Sequence, residues 1–119
     1  MFAENQYNAS IPIYQQIMLR MKEQIFMKTW KPGEKIPPVR DLALSLGVNP
    51  NTMQKALSEL EREGLLYTER TAGRFVTSDS SLIEEAHKEA ANHIIREFME
   101  RMEKLGYQKE DIKKEIEKI

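Results

Sequence analysis

Cysteine is absent from the 119 residues, which removes disulfides and thiolate metal sites and leaves the redox compartment open. No apolar run comes near the about 18 residues that a membrane span needs. The opening stretch MFAENQYNAS has neither a basic start nor an apolar core, so no secretory signal is expected there. These absences lead to the expectation of a cytoplasmic protein with no membrane partner. Repeats and low-complexity tracts are missing as well. Nothing in the chain pairs a nucleophile with a base, cradles phosphate with glycines or sets two carboxylates together, so neither an enzyme nor a cofactor is expected. A strong charge of one sign is lacking too, the net being −1. That total hides an asymmetry. Residues 1–78 carry ten Lys and Arg against eight Asp and Glu, whereas 79–119 carry eight against eleven. A mild cationic excess permits a nucleic-acid partner without requiring one. What remains, 40% hydrophobic and 31% charged residues, describes an ordinary globular chain. Its length suits one compact domain and a small appendage.

Along the chain, Pro12 is suited to the first turn of a helix, and Ile13, Ile17, Met21 and Ile25 repeat every fourth residue behind it. That predicts an amphipathic helix to about Phe26. The run KTWKPGEKIPP reads as a connection, with Trp30 and Ile36 plugging the core. A short helix from Pro38 to Leu46 follows, with Leu42, Ala43 and Leu46 inward and Gly47 ending it. Asn49-Pro50 is a strong helix start, and Met53, Ala56, Leu57 and Leu60 make the buried stripe of a third helix that stops at Gly64. Leu65–Glu69 and Arg74–Thr77 are β-prone runs bridged by Arg70-Thr71-Ala72-Gly73, a hairpin with glycine at its tip. The polar stretch Thr77–Ser81 is the internal boundary. Ser81 with Glu84 forms a capping box for a helix to about Leu105, roughly 37 Å long. Gly106-Tyr107 breaks it, and Ile112, Ile116 and Ile119 mark a last short helix.

Two short helices around Gly47-Val48-Asn49, followed by a hairpin, make a winged helix-turn-helix. With one face of the third helix buried, its exposed N-terminal residues are Asn51, Thr52, Gln54 and Lys55, at the end that enters the major groove in this motif. Asn and Gln can pair bidentately with adenine, and Thr can touch a base edge or a thymine methyl. Helix dipole and amides at that end favour a phosphate nearby. Arg70 and Arg74 on the wing, with Thr71 and Gly73 between them, offer backbone or minor-groove contact, and Arg40 is a third candidate phosphate ligand. Solvated polar side chains would explain Gln54 or Lys55 singly; the whole arrangement favours double-stranded DNA.

The segment PIYQQI, then WKPGEKIPPVRDLALSLGVNPNTMQKALSELEREGLLYTERTAGRFV, resembles the winged-helix domain of the GntR family. The shared pattern is a P-x-Y-x-Q start, a PG turn, an L-P-S-x-R-x-L-A stretch, a V-x-x-x-T recognition helix, an E-x-E-G-L ending and a wing closed by G-x-F-V. It covers about Pro12 to Val76, and VNPNTMQKAL with a short tail is similar to the YtrA-like branch. The resemblance implies a DNA-binding transcriptional regulator, with Arg40, Thr52 and the wing best supported as contacts. Pro38 stands where the family usually has serine, Pro50 and Gln54 where many members have arginine, and Thr71 where glycine is frequent.

In the tail, Ile83, Ala86, Ala90, Ile94, Phe98, Met102 and Leu105 recur at three- and four-residue steps, and Ala91, Ile95 and Met99 widen the stripe. So wide an apolar face after a finished domain points to packing against a second copy, with Ile83, Ala90, Ile94, Ile95, Phe98, Met102 and Leu105 as the dimer interface. Folding back on the winged helix is the alternative. YtrA-like tails, by resemblance, are two helices that dimerise. His87 and His93, with Glu89 and Glu97 around them, are a pattern common on solvated helices, so no metal site is expected. The expected class is mainly α with a small β-hairpin wing: a winged helix-turn-helix DNA-binding domain over 1–78 and a two-helix C-terminal dimerisation tail over 79–119. The expected function is a homodimeric repressor on an inverted-repeat operator. A protein-interaction scaffold and a sensor with a small-molecule effector between wing domain and tail stay open as alternatives. Steep salt dependence of DNA binding separates the first from the scaffold.

Overall fold

The computed structural model describes residues 7–119, so the reading of residues 1–6 as lacking a signal lies outside the described residues. Helix α1 is Ile13–Phe26, with Ile17, Met21 and Ile25 buried and Ile13 left exposed at the end of the stripe. Pro12 sits one position before the first turn rather than in it, an extended N-cap whose carbonyl accepts from the Gln15 and Gln16 amides at 3.1 and 3.4 Å. The Gln16 side chain ties down the preceding chain. Its amide nitrogen donates to the Asn8 and Ile11 carbonyls at 2.7 and 2.8 Å, and its oxygen accepts from the Asn8 amide at 2.7 Å.

Helices α2 (Val39–Leu46) and α3 (Pro50–Arg62) follow, joined by Gly47, Val48 and Asn49. Gly47 has φ 66°, a left-handed conformation that lets the Val48 amide turn back to the Ala43 carbonyl at 3.0 Å. Asn49 then caps α3, its Oδ1 accepting from the Asn51 amide at 2.7 Å with Pro50 at the first helical position. A cap of this kind is worth about 1 kcal/mol. Met53, Ala56, Leu57 and Leu60 of α3 are fully buried, and α1 and α2 both pack on α3. Each large side chain so buried contributes about 1.5–3 kcal/mol relative to exposure. Trp30, Ile36, Leu65, Leu66 and Val76 complete this core, Trp30 and Ile36 as expected from the sequence.

Strands β1 (Leu66–Glu69) and β2 (Gly73–Val76) are antiparallel, pairing Leu66 with Val76, Tyr67 with Phe75, Thr68 with Arg74 and Glu69 with Gly73. β1 starts one residue later than the sequence expectation and ends where it places it, and β2 is shifted one residue earlier. Gly73 belongs to β2, which leaves Arg70, Thr71 and Ala72 as the loop. The connection before α2 does more than connect. The Gly33 amide donates to the Val76 carbonyl, the Val76 amide to Glu34 and the Ile36 amide to Arg74, at 2.9 to 3.0 Å. Lys35 thus forms a bridge with Phe75, and residues 33–36 cover the outer edge of β2.

Helix α4 is Ser80–Lys104, and α5 is Lys109–Glu117. The expected Ser81–Glu84 capping box does not form. Asp79 is the cap, its Oδ1 accepting from the Leu82 amide and its carbonyl from Ile83, both at 3.2 Å. A carboxylate placed before the first turn outcompetes a serine already inside it. Gly106 ends α4 with φ 92°, where the sequence places the break. The chain separates into two compact units, the first ending at Ile83 and the second spanning Glu84–Ile119. In the second unit Ile112 of α5 is buried, whereas α4 has no buried side chain. Among the described residues, no helix is long and apolar enough to cross a membrane.

Candidate nucleic-acid interface

The periodicity that buries one face of α3 turns Asn51, Gln54 and Lys55 outward and leaves Thr52 half-buried beside them. Gln54 extends along the helix, its amide donating to the Ser58 hydroxyl at 3.3 Å. The Lys55 ammonium lies over the Tyr14 ring of α1, 4.0 Å from its centroid, a cation–π contact made by a residue that is exposed as a whole. The end of α3 offers an anion fewer amides than a bare helix would. Pro50 has no N–H, Asn51 donates to Asn49 Oδ1, and Met53 donates to the Asn49 carbonyl at 3.1 Å. Among the described residues, Thr52 is the first-turn amide left over. Arg40, in the first turn of α2, is exposed.

Support for the turn comes from a residue the sequence reading passed over. The Tyr7 hydroxyl donates to the Leu46 carbonyl at 2.7 Å, at the end of α2 and beside Gly47. Burial raises the Tyr7 pKa and the Arg20 guanidinium, 4.9 Å from its ring centroid, opposes that rise without cancelling it. The phenol therefore stays protonated and keeps donating at neutral pH.

The wing divides its cations. Arg70 and Thr71 stand exposed in the hairpin loop. Arg74, expected alongside them, is engaged elsewhere: its Nε donates to Glu61 Oε1 of α3 at 2.5 Å, and its side chain is only 18% exposed. The same oxygen accepts from the Thr68 hydroxyl at 2.5 Å. Burial works to raise the Glu61 pKa, but the Thr68 hydrogen bond and the Arg74 guanidinium outweigh it and hold the carboxyl below its ordinary range. Lys35 is the cation missed in the sequence. It is exposed on the strand-like edge beside β2, so close to Gly73 that a Cβ there would lie 2.9 Å from its Cε. Its only sequence signal was position in a proline-rich connection. His93 Nε2 lies 3.1 Å from Glu97 Oε1 along exposed α4, and among the described residues no group of three or more His, Asp or Glu could hold a metal.

Residues 13–76 match the sequence pattern of the family described as bacterial regulatory proteins, gntR family. The HTH-type transcriptional repressor YtrA of Bacillus subtilis (strain 168) is 46% identical over 72 residues, covering 60% of this chain and 55% of that protein. A solved GntR family transcriptional regulator from Listeria monocytogenes superposes with a TM-score of 0.88 at 37% identity, over 95% of this chain and 99% of that one. The AraR(DBD) in complex with operator ORX1 superposes with a TM-score of 0.55 at 30% identity, over 65% of this chain and 93% of that one.

The Glu61 cluster sets a pH dependence. A glutamate held below its ordinary 4.5 stabilises the fold fully above that value and loses the contribution as pH falls through its lower folded value. Glu61→Gln is expected to melt below wild type at pH 7, with the gap closing once the medium is acid enough to protonate Glu61. Thermal melts of both proteins from pH 7 down to pH 3 check this, and a gap that stays constant would contradict it.

Proposed function

The chain belongs to the gntR family of bacterial regulatory proteins, and from that premise we propose that it is a sequence-specific repressor that binds an inverted-repeat operator as a homodimer. The observation that carries this reading is α3, fully buried along one face and presenting Asn51, Gln54 and Lys55 with Thr52 at its N-terminal end. Asn51 and Gln54 have the donor–acceptor pairs that suit adenine, and Thr52 suits a base edge or thymine methyl. Arg40, Lys55 and Arg70 grip phosphate, with Thr71 and the backbone at Gly73 following the wing onto the duplex. A relative named as a repressor and a similar domain solved on its operator support the assignment.

Residues 79–119 serve as the dimerisation tail. On α4, Ile94 is 62% exposed, Ile95 56% and Phe98 40%, and Leu105 just after it is 73% exposed. Apolar side chains so grouped favour burial against a second copy. Two linked modules then bind two half-sites, the second event being intramolecular, with half-site centres about one helical turn apart.

Replacing Arg40 or Arg70 with alanine is expected to weaken binding to operator and random DNA alike and to lower the salt slope by about one unit for each. Alanine at Asn51, Thr52 or Gln54 instead flattens preference at one or two base pairs, by about 1–3 kcal/mol. Binding-site selection and salt titrations on the same variants distinguish these. An unchanged slope and an unchanged selected motif in every variant would refute the assignment.

Assembly is tested on α4. Ile94→Glu or Phe98→Glu is expected to give monomers that keep a folded winged helix but lose operator affinity by orders of magnitude, toward the non-specific range of about 10⁻⁴–10⁻⁶ M. Sedimentation with gel-shift titration reads both. Monomeric wild type at micromolar concentration, or monomeric variants that bind as tightly as wild type, would contradict dimeric action.

A further inference from the structure

We infer that Glu61 is a positioning residue for DNA binding: from α3 it braces the wing through Thr68 and Arg74, setting the hairpin loop at a fixed angle to the helix that reads the bases. The inference rests on the DNA-binding reading and adds a function to a residue that touches no base. Thr68 and Arg74 are directly opposed in the hairpin register, and a single oxygen, Glu61 Oε1, accepts from both at 2.5 Å. The carboxylate therefore holds both strands at one rung.

The position of that rung matters. On the same face, Leu66 and Val76 are buried and root the hairpin in the core. Beyond the rung, Glu69 through Gly73 are exposed. A two-stranded ribbon is marginal by itself, so its outer half takes its direction from whatever grips it last. On the opposite face Tyr67 and Phe75 stack with ring centroids 5.6 Å apart, which stiffens the ribbon without tying it to α3. The brace also settles the part played by Arg74. A half-buried guanidinium already paired with a carboxylate is neutralised locally, so the wing's phosphate-facing cations are Arg70 and Lys35. Charge argues the same way. An unpaired carboxylate on the helix that meets DNA would repel phosphate, and pairing with Arg74 removes that penalty while keeping the link.

The test uses the full chain with Glu61→Ala, Glu61→Gln, Arg74→Met, Arg70→Ala and the Glu61→Ala/Arg70→Ala double variant. DNA probes are a duplex recovered by selection on wild type and a random-sequence duplex of equal length, each titrated across salt. Amide hydrogen exchange of the DNA-free proteins reports the wing directly. Glu61→Ala is expected to speed exchange at residues 69–73 and to weaken binding to the selected duplex by about tenfold, the factor that goes with one charge-assisted hydrogen bond, although it removes a negative charge. Arg74→Met should behave alike, and Glu61→Gln, whose oxygen still accepts, should recover most of the loss. In the Arg70→Ala background Glu61→Ala should change binding little, because both act through the loop. Tighter binding by Glu61→Ala with a steeper salt slope would overturn the brace and make Arg74 a phosphate ligand that Glu61 merely restrains. Unchanged exchange at residues 69–73 would overturn it too. Selection on wild type that recovers no bound duplex would refute the DNA reading and the positioning role with it, and faster exchange would then leave Glu61 a purely structural tie.

Discussion

Everything displayed at the N-terminal end of α3 depends on how the helix is rotated about its own axis. Met53, Ala56, Leu57 and Leu60 are all without exposure, gripped between α1 and α2. One residue of rotation is 100° on a helix of 3.6 residues per turn, enough to push Met53 out and bring Gln54 inward in one sense or Lys55 in the other. Either exchange would forfeit about 1.5–3 kcal/mol for each large apolar group exposed and would bury an amide or an ammonium without a partner. The outward display of Asn51, Gln54 and Lys55 is thus a by-product of the core. The start of the helix is set as firmly, by Asn49 and Pro50 at one end and by the left-handed Gly47 that brings the chain in from α2.

Around this helix the other conspicuous residues act as supports. Pro12, Tyr14 and Gln16, the P-x-Y-x-Q start, do their work on neighbouring chain. Gln16 fastens residues 8–11 to α1, and Tyr14 lies under Lys55. Tyr7 reaches the carbonyl that closes α2. On the far side, residues 33–36 extend the hairpin and Glu61 crosses to it from α3. The helix-turn-helix is thereby supported from its N-terminal segment, from α1 and from the wing.

Which of this was legible in the sequence follows from the range of the forces involved. The helices of the first unit were readable because burial repeats at their own period, and the Asn49-Pro50 start and Gly47 stop because caps are local chemistry. The hairpin was readable to within one residue, since β propensity alone cannot say whether Gly73 turns or pairs. Asp79 displaced Ser81 as the cap of α4 because neighbouring polar residues offer rival starts that only geometry separates. Residues 33–36 looked like connection because their strand-like partner, β2, is distant in sequence. Arg74 looked like a free cation for the same reason: Glu61 lies thirteen residues away, a separation no pattern in the sequence marks. Lys35 was overlooked because a lysine between prolines has no periodicity to identify it.

The claim at the centre is that the end of α3 and the loop of the wing meet the duplex together. An amide NMR titration of the isotope-labelled full chain with a duplex obtained by binding-site selection tests it most directly. The account predicts the largest shifts at residues 51–55 and 70–73, with α5 nearly still. Shifts confined to α4 and α5, with residues 51–55 unmoved, would contradict it.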